Sequence, residues 1–360
     1  RLSANHDMKH FEIIGTRVAQ VRTTLAQQEL DAFIVPHDDE HLGEYIPAHA
    51  ERLDWLTGFN GSAGLAIILA KQAALFVDGR YTVQARMQTP AHLFSFLHLN
   101  EDPHVSWLAD QLEPGNRVGF DPRLHSLTWY QNAHAQLSER GITLVAITDN
   151  PVDQHWLDRP APGKHPVMFY SEELAGQSSQ AKRELLAGDL RKRGLDAVLL
   201  TQAEPINWLL NLRGRDVERL PVVLGFGVLY ANASMDFFVD TDKLDCISFS
   251  QHVGQDVSVY PTDKLGALLK RIGEDQQKVL ADPNTANAWT QLTMEEAGAI
   301  LVAGQDPTML PKACKNETEL TGMRAAHLRD GVAVTRFLAW LDRLIVSGEF
   351  DGVDEASLAD

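Results

Sequence analysis

One order of landmarks occurs twice in this chain, and a single compact domain does not accommodate it. Residues 17–25 read as an amphipathic helix with Val18, Val21 and Leu25 on one face, leading into the apolar strand 30–35. In the second half, residues 182–193 repeat the helix with Leu185, Leu186 and Leu190 inward, Gly194 ends it, and 195–200 is the strand. Residues 53–59 then answer to 206–212, 76–78 to 238–240, and 118–122 to 279–283, at separations that drift only between 153 and 165 residues. Drift of that size is what loop insertions leave behind after a duplication. Ordered agreement of five landmarks points to a duplicated domain.

Each copy reads helix, strand, loop, strands, helix, strand, which implies an α/β fold with a mixed sheet and helices packed against it. Asn150-Pro151, Arg159-Pro160-Ala161-Pro162-Gly163 and His165-Pro166 are expected to hold the chain out of helix and sheet as a linker. A second break is expected at 304–311. After it, Asn316 with Glu319 three residues on forms a capping box, and Val334, Phe337, Leu338, Leu341, Leu344 and Ile345 follow helical spacing. The expected domains are therefore 1–160, 161–308 and a third segment, 309–360, that reads as the beginning of a domain continuing beyond Asp360. The apolar face of its helix is expected to dock on a neighbouring domain, pair with another chain, or fray.

Composition excludes several classes of function. Lys+Arg number 32 against 49 Asp+Glu, and the net charge of −17 repels phosphate backbones and anionic membrane surfaces. Neither a nucleic-acid partner nor a membrane is expected. The longest apolar stretch, 220–231, is too short to span a bilayer and contains Pro221. Two cysteines, Cys246 and Cys314, make no disulfide scaffold, and no basic region followed by an apolar run opens the chain, so a reducing cytoplasm is the expected compartment.

Four polar or glycine-rich stretches call for a reading. His37-Asp38-Asp39-Glu40-His41, with Glu44 and His49, holds imidazoles and carboxylates suited to zinc or manganese, but adjacent residues point in different directions and do not converge. A solvated or substrate-facing loop is the expectation there. Gly58-Phe59-Asn60-Gly61-Ser62-Ala63-Gly64 lacks the Lys-Ser/Thr of a phosphate cradle, and Asn60 breaks a nucleophile-elbow pattern around Ser62; it reads as closely packed backbone turning into strand 65–69. In Asp78-Gly79-Arg80-Tyr81, before a short helix at 82–87, Arg80 is either a surface ion pair or a planar fork for a carbonyl or carboxylate of a ligand. The run from Arg213 to Arg219 carries both signs and reads as an exposed loop with local salt bridges.

At Trp208-Leu209-Leu210-Asn211-Leu212-Arg213-Gly214-Arg215-Asp216-Val217, followed by Pro221, the sequence resembles the three-domain aminopeptidases P, the Xaa-Pro aminopeptidases of peptidase family M24. Further matches are Glu44-Tyr45, the 58–64 stretch, Asp78-Gly79-Arg80-Tyr81, Lys315-Asn316-Glu317-Thr318-Glu319 and Gly322-Met323-Arg324-Ala325-Ala326-His327. The resemblance implies two tandem creatinase-like N-terminal domains followed by a pita-bread metallopeptidase domain, of which 309–360 would be the start. It implies hydrolysis of the bond between an N-terminal residue and a following proline, whose amide nitrogen carries no hydrogen. Two metal ions, usually manganese, would position a bridging hydroxide and stabilise the tetrahedral oxyanion. Their two Asp, one His and two Glu ligands are not matched by any motif here, so this portion is expected to hold neither metal nor catalytic residues and to be inactive alone. Arg80 alone carries over as a substrate contact, because the arginine of that motif faces the peptide site in the resembling enzymes. A homodimer is implied as well. Prolidases and creatinases remain open as related pita-bread hydrolases, and so does a non-catalytic peptide- or protein-binding module of creatinase-like fold.

Overall fold

The computed structural model describes residues 2–348, 352–354 and 357–358. In the first copy, α1 (Leu2–Gln27), β1 (Ala32–Pro36), α2 (Arg52–Thr57), β2 (Gly64–Leu69), β3 (Ala73–Val77), α3 (Thr82–Gln88), β4 (Phe94–His98), α4 (His104–Asp110), β5 (Arg117–Phe120), α5 (Leu127–Glu139) and β6 (Thr143–Ala146) follow in order. The linker adds α6 (Pro151–His155), β7 (Met168–Phe169) and α7 (Glu172–Ala175). The second copy comprises α8 (Ser179–Lys192), β8 (Ala197–Leu200), α9 (Ala203–Leu210), β9 (Leu212–Arg213), β10 (Phe226–Tyr230), β11 (Met235–Phe238), α10 (Cys246–Val253), β12 (Val257–Tyr260), α11 (Leu265–Glu274), β13 (Lys278–Ala281), α12 (Ala288–Ala297) and β14 (Ile300–Ala303). Helices α13 (Met309–Ala313) and α14 (Glu317–Ser347) complete it.

The sheet orders are β4-β3-β2-β1-β5-β6 and β12-β11-β10-β8-β13-β14, the same topology twice. In each, the first strand pairs antiparallel to the next strand of its own sheet and parallel to the strand that returns from the far helix. Both faces of each sheet are covered by apolar clusters, so the strands read as nearly continuous apolar runs.

The duplication extends to single hydrogen bonds. Asp31 accepts from the Arg117 amide at 2.8 Å, and Asp196 accepts from the Lys278 amide at the same distance. Asp121 and Asp282 accept from the amides two residues on, at 3.0 and 2.9 Å. Arg17 lies 4.6 Å over the Trp55 ring and donates to the Trp55 carbonyl at 2.6 Å; Lys182 lies 4.5 Å over Trp208 and donates to its carbonyl at 2.9 Å. In both copies a cation on the first helix thus clamps the indole-bearing helix by its ring and its carboxyl-terminal carbonyl.

The copies meet through equivalent positions. Ser126 and Asn287, the residues that cap α5 and α12, form an antiparallel bridge with each other. The Thr128 amide donates to the Pro283 carbonyl at 2.9 Å and the Ala288 amide to the His125 carbonyl at 2.8 Å. Arg123 lies 4.6 Å over Trp289.

Three expectations are corrected. Leu185 is 56% exposed, whereas Lys182 and Arg183 are buried on the core side of α8. Apolar spacing alone could not reveal this, because both cations are accommodated by carbonyls: Arg183 donates to Ala233, Val253 and Gln255. The linker is not wholly irregular: Asn150 caps α6 and Pro151 occupies its first turn, where a missing N–H costs nothing. Pro311 likewise sits within α13.

Helix α14 starts at the expected capping box, and Asn316 also donates to the Ala175 carbonyl at 2.8 Å. Beyond that start its apolar face does not dock on either sheet domain: Leu328, Val334, Phe337, Leu338 and Ile345 are all exposed. Residues 349–351, 355, 356, 359 and 360 of the third segment lie outside the described residues. Among the described residues no helix is long and apolar enough to cross a membrane.

Asn287 both caps α12, accepting from the Thr290 amide at 2.9 Å, and donates to the Glu40 carbonyl of the other copy at 2.7 Å. Asn287→Ala is expected to destabilise the chain by about 2 kcal/mol, measured by denaturant unfolding. A change below about 0.5 kcal/mol would show that the inter-copy contact contributes nothing to folding.

Candidate functional site

The Asp78-Gly79-Arg80-Tyr81 turn leaves the end of β3 and enters α3. The Asp78 carboxylate accepts from the Arg80 amide at 2.9 Å, closing the turn, and receives the Arg80 guanidinium at 2.6 Å from Nη2 and 3.1 Å from Nε. That hydrogen-bonded guanidinium holds the Asp78 carboxyl below its ordinary range. Arg80 nevertheless has 65% of its side chain exposed, and its guanidinium also lies 5.0 Å over the Tyr81 ring. The ion pair and the open fork therefore coexist: five donors are present, and Asp78 takes one edge of them.

Tyr81 anchors the turn to the glycine-rich stretch. Its hydroxyl lies 2.6 Å from Ser62 Oγ, and its ring meets Phe59 edge-on at 5.5 Å. Gly61 has no alternative here, since a Cβ would lie 2.3 Å from the Phe59 ring. Gly58 ends α2 in the left-handed region at φ 78°. The stretch is closely packed backbone, as expected, and Ser62 is bonded to a phenol rather than to a base.

The second copy repeats the turn without the arginine. Asp240 accepts from the Asp242 amide at 3.1 Å, as Asp78 does from Arg80. Lys243 follows where Tyr81 stands, buried and paired at 2.6 Å with Asp216. The fold forms this turn with an aspartate at the arginine's place.

The histidine loop is solvated only in part: Glu44 is exposed, whereas its central residues turn inward. Asp39 and His41 are buried; Asp39 accepts from the amides of His41 and Gly43, and His41 lies 2.9 Å from the Thr201 carbonyl while stacking on Phe226 at 4.4 Å. The loop is a wedge between the copies. Arg52, buried, holds Asp153 at 2.7 Å and Glu40 at 3.2 Å, while Arg159 holds Asp153 at 3.0 Å and donates to the His49 carbonyl at 2.6 Å. Burial raises the Glu40 carboxyl most strongly of any one cause, yet Arg52, a backbone hydrogen bond and His41 together outweigh it and leave that group below its ordinary range. No sequence signal pairs residues a hundred positions apart, so this network was not foreseen.

The charged run at 213–219 also divides. Glu218 and Arg219 are exposed, but Asp216 is buried on Lys243 and accepts from the Leu224 amide at 2.8 Å, and Arg213 lies 4.2 Å over Tyr170. Among the described residues no three His, Cys, Asp or Glu side chains are grouped so as to hold a metal ion.

Burial, with Asp39 adjacent, pushes the Asp38 carboxyl up to about 6. Such a group binds its proton more tightly folded than unfolded, so the stability it contributes is complete below about pH 4 and is lost as pH rises through 6. Asp38→Asn should therefore gain about 2 kcal/mol on the parent chain between about pH 4.5 and 7.5. Half-buried His104 and buried His125, lowered by desolvation to about 4 and about 3, act oppositely and weaken the fold as pH falls below about 6.5. Comparing the two chains at each pH cancels them; a difference independent of pH would disprove the Asp38 assignment.

Comparison with known proteins places these features. The chain is 34% identical over 97% of its length to a protein of Aspergillus flavus named probable Xaa-Pro aminopeptidase P, and covers 55% of that relative. A protein of the same name from Aspergillus niger is 33% identical over 96% of the chain, with 57% of its own length covered. The chain thus spans about half the length of the curated relatives it matches. A solved X-prolyl aminopeptidase of Caenorhabditis elegans, described as a cytosolic enzyme with a di-nuclear active site, superposes with a TM-score of 0.86 at 27% identity, covering 93% of this chain and 57% of that one. Models of the creatinase/prolidase N-terminal domain match residues 17–153 and, separately, 158–319. With its topology repeated and both halves matched in tandem, the chain belongs to the creatinase/prolidase N-terminal domain family.

Proposed function

We propose that this chain is the non-catalytic N-terminal portion of a metal-dependent aminopeptidase that hydrolyses the bond between an N-terminal residue and a following proline. Its domains in this reading are 1–160, 161–308 and, from 309, the entry into the catalytic domain through α14. The observation that carries the reading is the likeness to Xaa-Pro aminopeptidases along nearly the whole chain, at about half of their length. The solved relative has a di-nuclear site. The described residues here do not fit such a centre, since no metal-holding group forms among them. We assign two divalent ions, manganese in this reading, to the catalytic domain of the longer protein, which acts in the cytoplasm as a homodimer.

The part of this chain is to present substrate. Arg80 is the candidate contact, and the second copy supports it: the same turn forms around Asp240 with Asp242 in place of the arginine, so folding of the turn does not require a guanidinium. A planar fork at an exposed turn suits a peptide carbonyl or terminal carboxylate, where a lysine offers only a point charge.

Two measurements test this. Purified residues 1–360 with manganese and an Xaa-Pro peptide should release no N-terminal residue, and manganese-dependent release would overturn the assignment of catalysis elsewhere. In the longer protein, Arg80→Ala should lower kcat/KM about ten- to hundredfold for peptides long enough to reach the turn, less for an Xaa-Pro dipeptide, with Tm kept within about a degree. Equal loss across peptide lengths, or a fall in Tm, would instead assign Arg80 to the ion pair with Asp78.

A further inference from the structure

Because the chain carries one module twice, each copy is a reference for the other. In the first, Phe76 on β3 lies opposite Leu97 of the edge strand β4, and the Trp107 indole from α4 meets Phe76 edge-on at 5.6 Å. Trp107 directly precedes Leu108, which is fully buried. In the second copy Phe238 on β11 lies opposite Tyr260 of the edge strand β12, and Leu268 of α11 is the buried leucine. The residue before it is Ala267. Where the first copy places an indole, the second places a methyl group, and a cavity of about 500 Å³ opens there, lined by Phe238, Tyr260, Pro261, Ala267 and Leu268. Tyr260 stacks on buried Phe238 at 5.4 Å and, itself 37% exposed, presents the aromatic wall of the cavity.

The rim is cationic. Lys264 and Arg271 line the same cavity, and neither forms an ion pair among the described residues. In a chain of net charge −17, two cations without a paired carboxylate at an apolar cavity select for an anion. Arg271 acts electrostatically on Asp236, whose carboxylate already accepts the Tyr230 hydroxyl at 2.8 Å.

We propose that this cavity is a binding site for a small planar aromatic acid. Its ring lies beside Ala267, on the side of the helix from which the first copy projects its indole, and against Tyr260, and its carboxylate meets Lys264 and Arg271. The size follows from the first copy, where a side chain of that shape fills the equivalent space, and the volume lies within the range of small-molecule sites. The site belongs to the second copy alone and does not rest on the peptidase reading.

The probe is indole-3-acetate, titrated into the full chain by calorimetry and by amide chemical shifts. Saturable one-to-one binding is expected with a Kd between about 10 μM and 1 mM, with shifts centred on Tyr260 and the turn of α11 from Lys264 to Arg271. Ala267→Trp rebuilds the first copy's arrangement and should weaken binding at least about tenfold while the far-ultraviolet circular dichroism is kept. The double variant Lys264→Gln, Arg271→Gln should weaken indole-3-acetate about fivefold or more and leave 3-methylindole unchanged. Should Ala267→Trp fail to fold, the double variant and the shift map decide. No saturable binding by about 5 mM, shifts centred elsewhere, or equal affinity for 3-methylindole and the acid would each overturn the proposal.

Discussion

The two halves of this molecule are held in register by a backbone bridge between Ser126 and Asn287, residues that occupy the same place in each copy. A contact between equivalent positions is the geometry of an isologous interface, here realised within one chain. Asp121 and Asp282 set it up, each fixing the turn after the central parallel strand and so aiming the cap of the next helix. From that bridge follows the position of the histidine loop, since Asn287 reaches across to the Glu40 carbonyl and His41 closes on Thr201. The Arg52 network then fastens the linker helix to the same region, and the turn that carries Arg80 projects from a frame already fixed at both ends.

The repeat was legible in the sequence because the module needs certain residues for physical reasons that do not change between copies. An aspartate must receive the amide of the incoming strand, an indole must sit under a cation, and an Asp must cap the turn after the fifth strand of the sheet. What escaped the sequence was burial that depends on distant partners. Lys182 and Arg183 look like solvent-facing positions until carbonyls some thirty to seventy residues away are seen to receive them. Asp216 reads as part of a charged loop, yet its value lies in Lys243. The histidine loop reads as a metal-ligand candidate or as a solvated or substrate-facing loop, whereas His41 and the Glu40 carbonyl join it to the second copy, a role that no pattern within one copy can encode.

Divergence between the copies is as informative as their likeness. The aspartate and tryptophan positions of the turns and clamps are retained and the capping position stays polar, Ser126 answering to Asn287, while the turn residue Arg80 becomes Asp242 and the wall residue Trp107 becomes Ala267. Substitutions at exposed or rim positions alter what each copy presents without touching what each copy needs to fold. Function on such a scaffold is therefore read from the differences, and fold from the repetitions.

The contiguity of each sheet in the chain has a consequence for synthesis. Every strand of the first sheet lies between Ala32 and Ala146, and the linker helix that packs against α1 and α2 ends at His155, whose ring meets Thr24 of the opening helix at 2.7 Å. Once that histidine has left the ribosome tunnel, the first module holds every strand and covering helix it requires, before the opening strand of the second has been made. Its antiparallel and parallel pairings are then already satisfied, so the topologically equivalent strands that emerge later meet a sheet with no central place to invade. An order of emergence thus protects a duplicated chain from exchanging strands between its own halves.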